Sequence, residues 1–217
     1  MPFFESKRPG KCILFFKFIQ KKGYGMPPSG KSLFWQKVTI VERKRMRKLA
    51  LSDEILMKVD KAARYIGGEV NSVMKDKNAV DIRFAMCFPD VYEIGMSNLG
   101  MMLLYNMFNK RPDVWCERVY SPWLDLDKLM REQNIPLFAL ESQDPVRDFD
   151  FLCITLGYEM CYTNVLQTLD LSQIPLKAAD RDESCPIVIG GGACAYNPEP
   201  LAAFFDLFYI GEGETVY

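Results

Sequence analysis

The feature that most constrains this chain is a series of short, almost wholly apolar runs set apart by helix-length segments. Ile82–Phe88, Phe151–Leu156 and Pro186–Ile189 are such runs, and each ends in a turn-forming sequence: Pro89-Asp90, Gly157, or Gly190-Gly191-Gly192. A strand with water on one face alternates apolar and polar residues, whereas a strand covered on both faces reads as a continuous apolar run. Residues 115–120, Leu137–Leu140 and Leu207–Ile210 read as further strands. Between them lie helical patterns at 97–109 (capped by Ser97), Asp125–Gln133, 160–171 and Glu199–Phe205. Such β/α alternation predicts an α/β fold with a doubly wound, Rossmann-like parallel sheet. Ahead of it, residues 52–65 read as a lead-in helix, with Ile55, Leu56, Val59, Ala62, Ala63 and Ile66 on one face.

Charge divides the chain. Residues 1–48 carry 13 Lys and Arg against Glu5 and Glu42, a net of +11, while the other 169 residues carry 14 basic and 26 acidic groups, a net of −12. The expected organisation is a basic extension over 1–48, a lead-in helix and loop over 49–80, and the Rossmann-like domain over 81–217. The extension has no sustained period and is read as an appendage that the fold does not need. Nucleic acid is not an expected partner, and no apolar stretch is long enough to span a membrane.

The extension contains Gly25-Met-Pro-Pro-Ser-Gly30-Lys31-Ser32, which fits the phosphate-binding pattern G-x-x-x-x-G-K-[ST]. That loop needs a buried strand before it and a helix after it. Here a polar, glycine-broken segment precedes it and the β-branched Val38–Val41 follows, while Pro27 and Pro28 remove two backbone donors. A nucleotide-binding protein built on Gly25–Ser32 is therefore the weakest of the readings.

The chain has no histidine, which excludes His-based nucleophile systems and His-ligated metal centres. Its seven cysteines include no C-x-x-C pair. An odd count without a persuasive signal peptide predicts reduced thiols and a cytoplasmic protein. No carboxylate pair has a spacing that suggests acid–base catalysis, so no catalytic residue and no metal ligand is assigned.

Ligands of doubly wound sheets bind at the carboxyl ends of the strands. The loops there hold Asp90, Tyr92, Gly95 and Ser97 after the first strand and Thr155, Leu156 and Gly157 after the central one. Gly190, Gly191 and Gly192 follow the next strand, and Glu212 and Glu214, read as solvated acids, follow the last. Glycine at such ends shapes tight turns and lets a backbone approach a ligand closely.

Asp90-Val-Tyr92-Glu-Ile-Gly95 resembles the D-x-H-x-x-G motif of cobalamin-binding domains, with tyrosine in place of histidine. Ile154-Thr155-Leu156 resembles their S-x-L segment and Val188–Ala193 their Gly-Gly segment. More closely, RYIGGEVNSV (64–73), FPDVYEIGMSNLG (88–100), ERVYSPWLDLDKL (117–129), LES (140–142), GYEMCYTNVLQTLDL (157–171) and the stretch from Gly190 to Glu214 are similar to a family of radical S-adenosylmethionine proteins with an amino-terminal cobalamin-binding-like region. The resemblance covers about residues 49–217. It implies a cofactor- or substrate-binding module. Asp90 and Thr155 would bond a nucleotide tail, Tyr92 would pack beneath a corrin without ligating cobalt, and Gly190–Gly192 would pass close to the tail. Gly95, Ser97, Leu156 and Gly157 complete the expected cobalamin contacts. The resemblance places the 4Fe–4S cluster and S-adenosylmethionine on a C-x-x-x-C-x-x-C radical domain, which follows this region and would be its partner; no such triplet occurs here. The substrate is not implied. A non-catalytic interaction domain of the same fold without cofactor is the alternative.

Overall fold

A computed structural model describes residues 49–211 and Gly213. The basic extension, the Gly25–Ser32 segment, Glu212 and Glu214 lie outside the described residues.

Five parallel strands form one sheet: β1 (Ile82–Phe88), β2 (Val114–Tyr120), β3 (Phe151–Thr155), β4 (Ile187–Gly191) and β5 (Leu207–Phe208), in the order β2-β1-β3-β4-β5. Among the described residues six α-helical segments accompany them: α1 (Asp53–Leu56), α2 (Ala63–Ile66), α3 (Tyr92–Gly95), α4 (Leu99–Asn109), α5 (Leu124–Gln133) and α6 (Tyr162–Leu171). The predicted doubly wound α/β architecture is what the chain adopts. Alternate side chains of β1 feed two cores. Phe84, Met86 and Phe88 meet Met101, Tyr105 and Phe108 of α4 on one face. Ala85 and Cys87 join Leu126 and Met130 of α5 and Val165 and Leu169 of α6 on the other. Two-sided burial is why these strands read as continuous apolar runs.

Several expected elements differ. The lead-in helix is two short helices, because the amide of Asp60 bonds Oδ2 of Asp125 at 2.7 Å and leaves the helical ladder. The cap of α4 is Asn98, whose side-chain oxygen accepts from Met101 N at 2.9 Å; Ser97 Oγ instead donates to Ile94 O. Glu199–Phe205 forms only a 3₁₀ turn at Glu199–Leu201, in a stretch interrupted by Pro198 and Pro200. Leu207–Ile210 shortens to Leu207–Phe208. Leu137–Leu140 is buried but is not a strand of the sheet, and its one bridge joins Phe138 to Pro145. Leu140 N donates to Arg118 O at 2.8 Å, so this segment lies along β2 and covers an edge that would otherwise expose unpaired backbone.

Charge is buried beneath that cover. Glu117 and Arg118 sit side by side in β2, and both are buried. Glu117 pairs with Arg83 and accepts from Ser142 N at 2.8 Å. Arg118 pairs with Glu141 at 2.7 Å and with Glu69. Lys75 works differently: its ammonium donates to Asn109 O at 3.0 Å, Arg111 O at 2.6 Å and Val114 O, tying the end of α4 to the turn after it and to the start of β2. Replacing Lys75 by Met leaves those carbonyls without the ammonium. We expect a loss of about 2 kcal/mol, the scale of charge-assisted hydrogen bonds, read by urea denaturation. A variant as stable as the wild type would show that water caps this helix equally well.

Candidate functional site

In this strand order β1 crosses over towards β2 and β3 towards β4, so the chain reverses direction between β1 and β3, and a crevice opens at their carboxyl ends. Asp90 stands on one side. Its Oδ1 accepts from Val91 N at 2.7 Å, within the turn that leads into α3, and its Oδ2 accepts from the hydroxyl of Tyr158 in the loop after β3. The Asp90 hydrogen bond, aided by burial, pushes the Tyr158 phenol up to about 12. Asn164 Nδ2 donates to Pro89 O at 2.9 Å and ties α6 to the same turn. The loop containing Tyr158 was identified from sequence, but the tyrosine was not. An aromatic directly after a strand-end glycine was the available signal.

Tyr92, at the histidine position of the motif, turns inward. Its hydroxyl donates to Glu69 Oε1 at 2.7 Å, and its ring meets Tyr120 edge-on at 5.4 Å. Burial, reinforced by the Glu69 carboxylate, pushes its phenol up to about 12. At neutral pH it is therefore a neutral donor already engaged, not a phenolate available to a metal. Gly95 is required for packing: a Cβ there would lie 2.5 Å from the Tyr120 ring. At Gly190 a Cβ would meet Phe208 at 2.9 Å, and Leu156 is a buried core residue. Gly157 faces open space.

A separate cleft of about 220 Å³ opens beside α4, at the carboxyl ends of β3, β4 and β5. Met86 of β1 and Met101, Leu104 and Phe108 of α4 line it together with Thr155, Gly191 and Gly192. Of the ten site residues read from sequence, the structure brings these three to the cleft. The other seven are Asp90, Tyr92, Gly95, Ser97, Leu156, Gly157 and Gly190, in or beside the neighbouring turns. Asn98, Gly100, Cys153 and Tyr209 also line the cleft and were not singled out from sequence. Asn98 and Gly100 reach it because α4 packs against β1 and β2, which no local pattern displays. Burial pushes the Cys153 thiol up to about 12, so it acts there as an apolar wall. Among the described residues no group of three or more His, Cys, Asp or Glu could hold a metal ion.

Large apolar side chains stand exposed in the loops after the strands, among polar ones such as Glu93 and Glu159. Ile94 and Leu99 follow β1, Trp123 and Leu124 follow β2, Met160 follows β3 and Tyr196 follows β4, all exposed, with Leu124 at 72% and Met160 at 86%. Because the strands are parallel, these residues gather on one edge of the sheet. No helix among the described residues is long and apolar enough to cross a membrane.

A family model described as radical SAM proteins, N-terminal, matches residues 100–217. An uncharacterised protein of Methanocaldococcus jannaschii is 28% identical over 131 residues, which is 60% of this chain and 24% of that protein. The chain thus spans about a quarter of the length of that relative. No solved structure matches.

Proposed function

This chain belongs to the family of radical S-adenosylmethionine (SAM) protein N-terminal regions, and on that footing we propose that it is the module that holds a cofactor or substrate for a radical SAM protein. The observation that carries the proposal is the apolar cleft at the carboxyl edge, lined by methionine, leucine and phenylalanine side chains and by glycine backbone at Gly191 and Gly192. Such a slot suits a flat, largely apolar group, whose rim atoms can reach backbone amides at Gly191 and Gly192. The 4Fe–4S cluster and S-adenosylmethionine of the complete protein we assign to a separate radical domain. The exposed apolar side chains after the strands supply a surface on which such a domain could close.

Cobalamin is the specific ligand we propose. The cleft fits its aromatic tail: Met86, Leu104 and Phe108 would face the ring, and Thr155 could hydrogen-bond it. The residue at the axial position does not fit a ligand role, because Tyr92 gives its proton to Glu69. Cobalamin held here would carry no side-chain ligand from Tyr92. When bound, it supplies methyl-transfer chemistry. The chain's own contribution is to enclose the tail, exclude water from it and orient the group over the carboxyl edge.

The test is an anaerobic spectroscopic titration of this chain with hydroxocobalamin and methylcobalamin, beside a Gly100→Leu variant. Gly100 lies in the first turn of α4 and lines the cleft, and a Cβ there meets only Asn98 Oδ1 at 3.5 Å. Leucine has the higher helix propensity, while its side chain fills the slot. We expect saturable binding with a spectrum lacking histidine ligation, weakened roughly tenfold or more in the variant, a change of about 1.4 kcal/mol. Equal affinity in the variant would place the ligand elsewhere. No binding by either form would favour the second reading, an interaction domain that uses those exposed apolar side chains and takes no cofactor.

A further inference from the structure

Behind the Asp90–Gly95 turn lies another, smaller pocket of about 20 Å³, lined by Arg64, Tyr65, Tyr92, Tyr120, Ser121 and apolar side chains that include Leu126 and Phe138. Three of those residues present buried polar atoms with no hydrogen-bond partner: Arg64 Nη1, Tyr120 Oη and Ser121 Oγ. Tyr120 is 7% exposed, Ser121 4%, and the Arg64 side chain 11%. Leaving such atoms unsolvated is costly, and native interiors rarely do so. That three of them border one small cavity calls for a common partner.

We infer that a single ordered water molecule occupies this cavity and bridges Arg64, Tyr120 and Ser121. The volume of about 20 Å³ exceeds the roughly 10–15 Å³ that one water requires and matches a single small occupant. Three polar partners is the usual complement of a buried water. The donor balance also works. Arg64 Nη1 can only donate, so the water accepts there, and the two hydroxyls can each take or give the remaining bonds. An anion is disfavoured, because the Arg64 charge is already met by Glu93 at 2.8 Å. The water has a structural task. Ser121 N donates to Asp90 O at 2.9 Å, and the Tyr120 ring packs on Gly95, so the bridge joins the end of β2 and the lead-in helix α2 to the turn that carries Asp90 and Tyr92. This inference is independent of the cofactor reading.

Oxygen-17 magnetic relaxation dispersion of the solvent measures long-lived internal water. The Tyr120→Phe/Ser121→Ala double variant should lose one molecule's share of the dispersion amplitude relative to wild type. An unchanged amplitude would overturn the inference. Should the double variant fail to fold, Ser121→Ala alone decides through its sign. Deleting a water-bridged hydroxyl lowers the folding equilibrium constant by roughly two- to twelvefold, whereas deleting an unsolvated orphan leaves it unchanged or raises it.

Discussion

Arg118→Met should destabilise the fold by roughly 3–5 kcal/mol, the scale for breaking a buried ion pair by removing one partner. Arg118 is buried in β2, with its Nε on Glu141 Oε1 and its backbone N–H on Glu141 Oε2, both at 2.7 Å. Its guanidinium also reaches Glu69 and lies 5.2 Å from the Tyr105 ring centroid. Glu141 is 0% exposed. Burial already pushes its carboxyl above the ordinary range against the pull of Arg118. Methionine removes the opposite charge from that carboxylate, and its folded-state pKa rises further. A group with a raised folded pKa stabilises below its unfolded value and loses that contribution as pH rises through the folded one. The penalty should therefore be largest near neutrality and shrink towards acid pH. Removing the stranded charge as well, in Arg118→Met/Glu141→Leu, should recover a substantial part of the loss, because apolar replacements of buried pairs are often neutral or stabilising. Urea denaturation of wild type, Arg118→Met, Glu141→Leu and the double variant closes the cycle. A loss below about 1 kcal/mol for Arg118→Met would mean that water reaches the pair and that the cover over β2 is loose.

That pair shows where sequence reading stops. In β2 the neighbours Glu117 and Arg118 look like a polar interruption, since their partners stand far along the chain and nothing local marks them as neutralised. The recognised ER and LES segments, quoted only as a likeness, are joined here by the Arg118–Glu141 pair. β1 was legible to both ends because its two faces are both covered. Leu137–Leu140 has a strand's composition, but its amides turn to Leu171, Arg118 and Asp144, which only the assembled fold brings near. The break in the lead-in helix has the same origin, a long-range bond to Asp125. At the site, the strand-end glycines and Thr155 were legible because they sit within the motif itself. The wall formed by Leu104 and Phe108 was not, because an apolar residue facing a cleft and one facing a core have the same helical spacing. Tyr92 was placed correctly at the carboxyl edge, and its inward turn depends on Glu69, which lies in a loop with no pattern of its own.

The glycine triplet offers the second large effect, because its members do different jobs. Gly192 has φ 104° and ψ −175°, a region essentially closed to residues with a Cβ. A Cβ there would also lie 2.9 Å from Leu156 O, a backbone atom that accepts from Cys194 N. Neither term can be relieved by rotating a side chain. Gly192→Ala should therefore cost about 3 kcal/mol and lower the thermal midpoint by several degrees. Gly191 is different: it is the last residue of β4, its φ is not positive, and a Cβ there meets nothing nearer than Tyr209 O at 4.0 Å. Gly191→Ala should hold stability within about 1 kcal/mol of wild type, since alanine also restricts the unfolded chain. Its methyl group projects where the cleft is lined by glycine, so cobalamin affinity should fall in this folded protein. Measuring both variants by thermal unfolding and by titration separates the two roles. Conformation makes Gly192 necessary whether or not a ligand binds, and close approach makes Gly191 necessary only if one does. A Gly191→Ala protein that is stable and binds as tightly as wild type would remove the triplet from the ligand site and leave it as a turn. A Gly192→Ala protein as stable as wild type would show that the β4 turn has another conformation open to it.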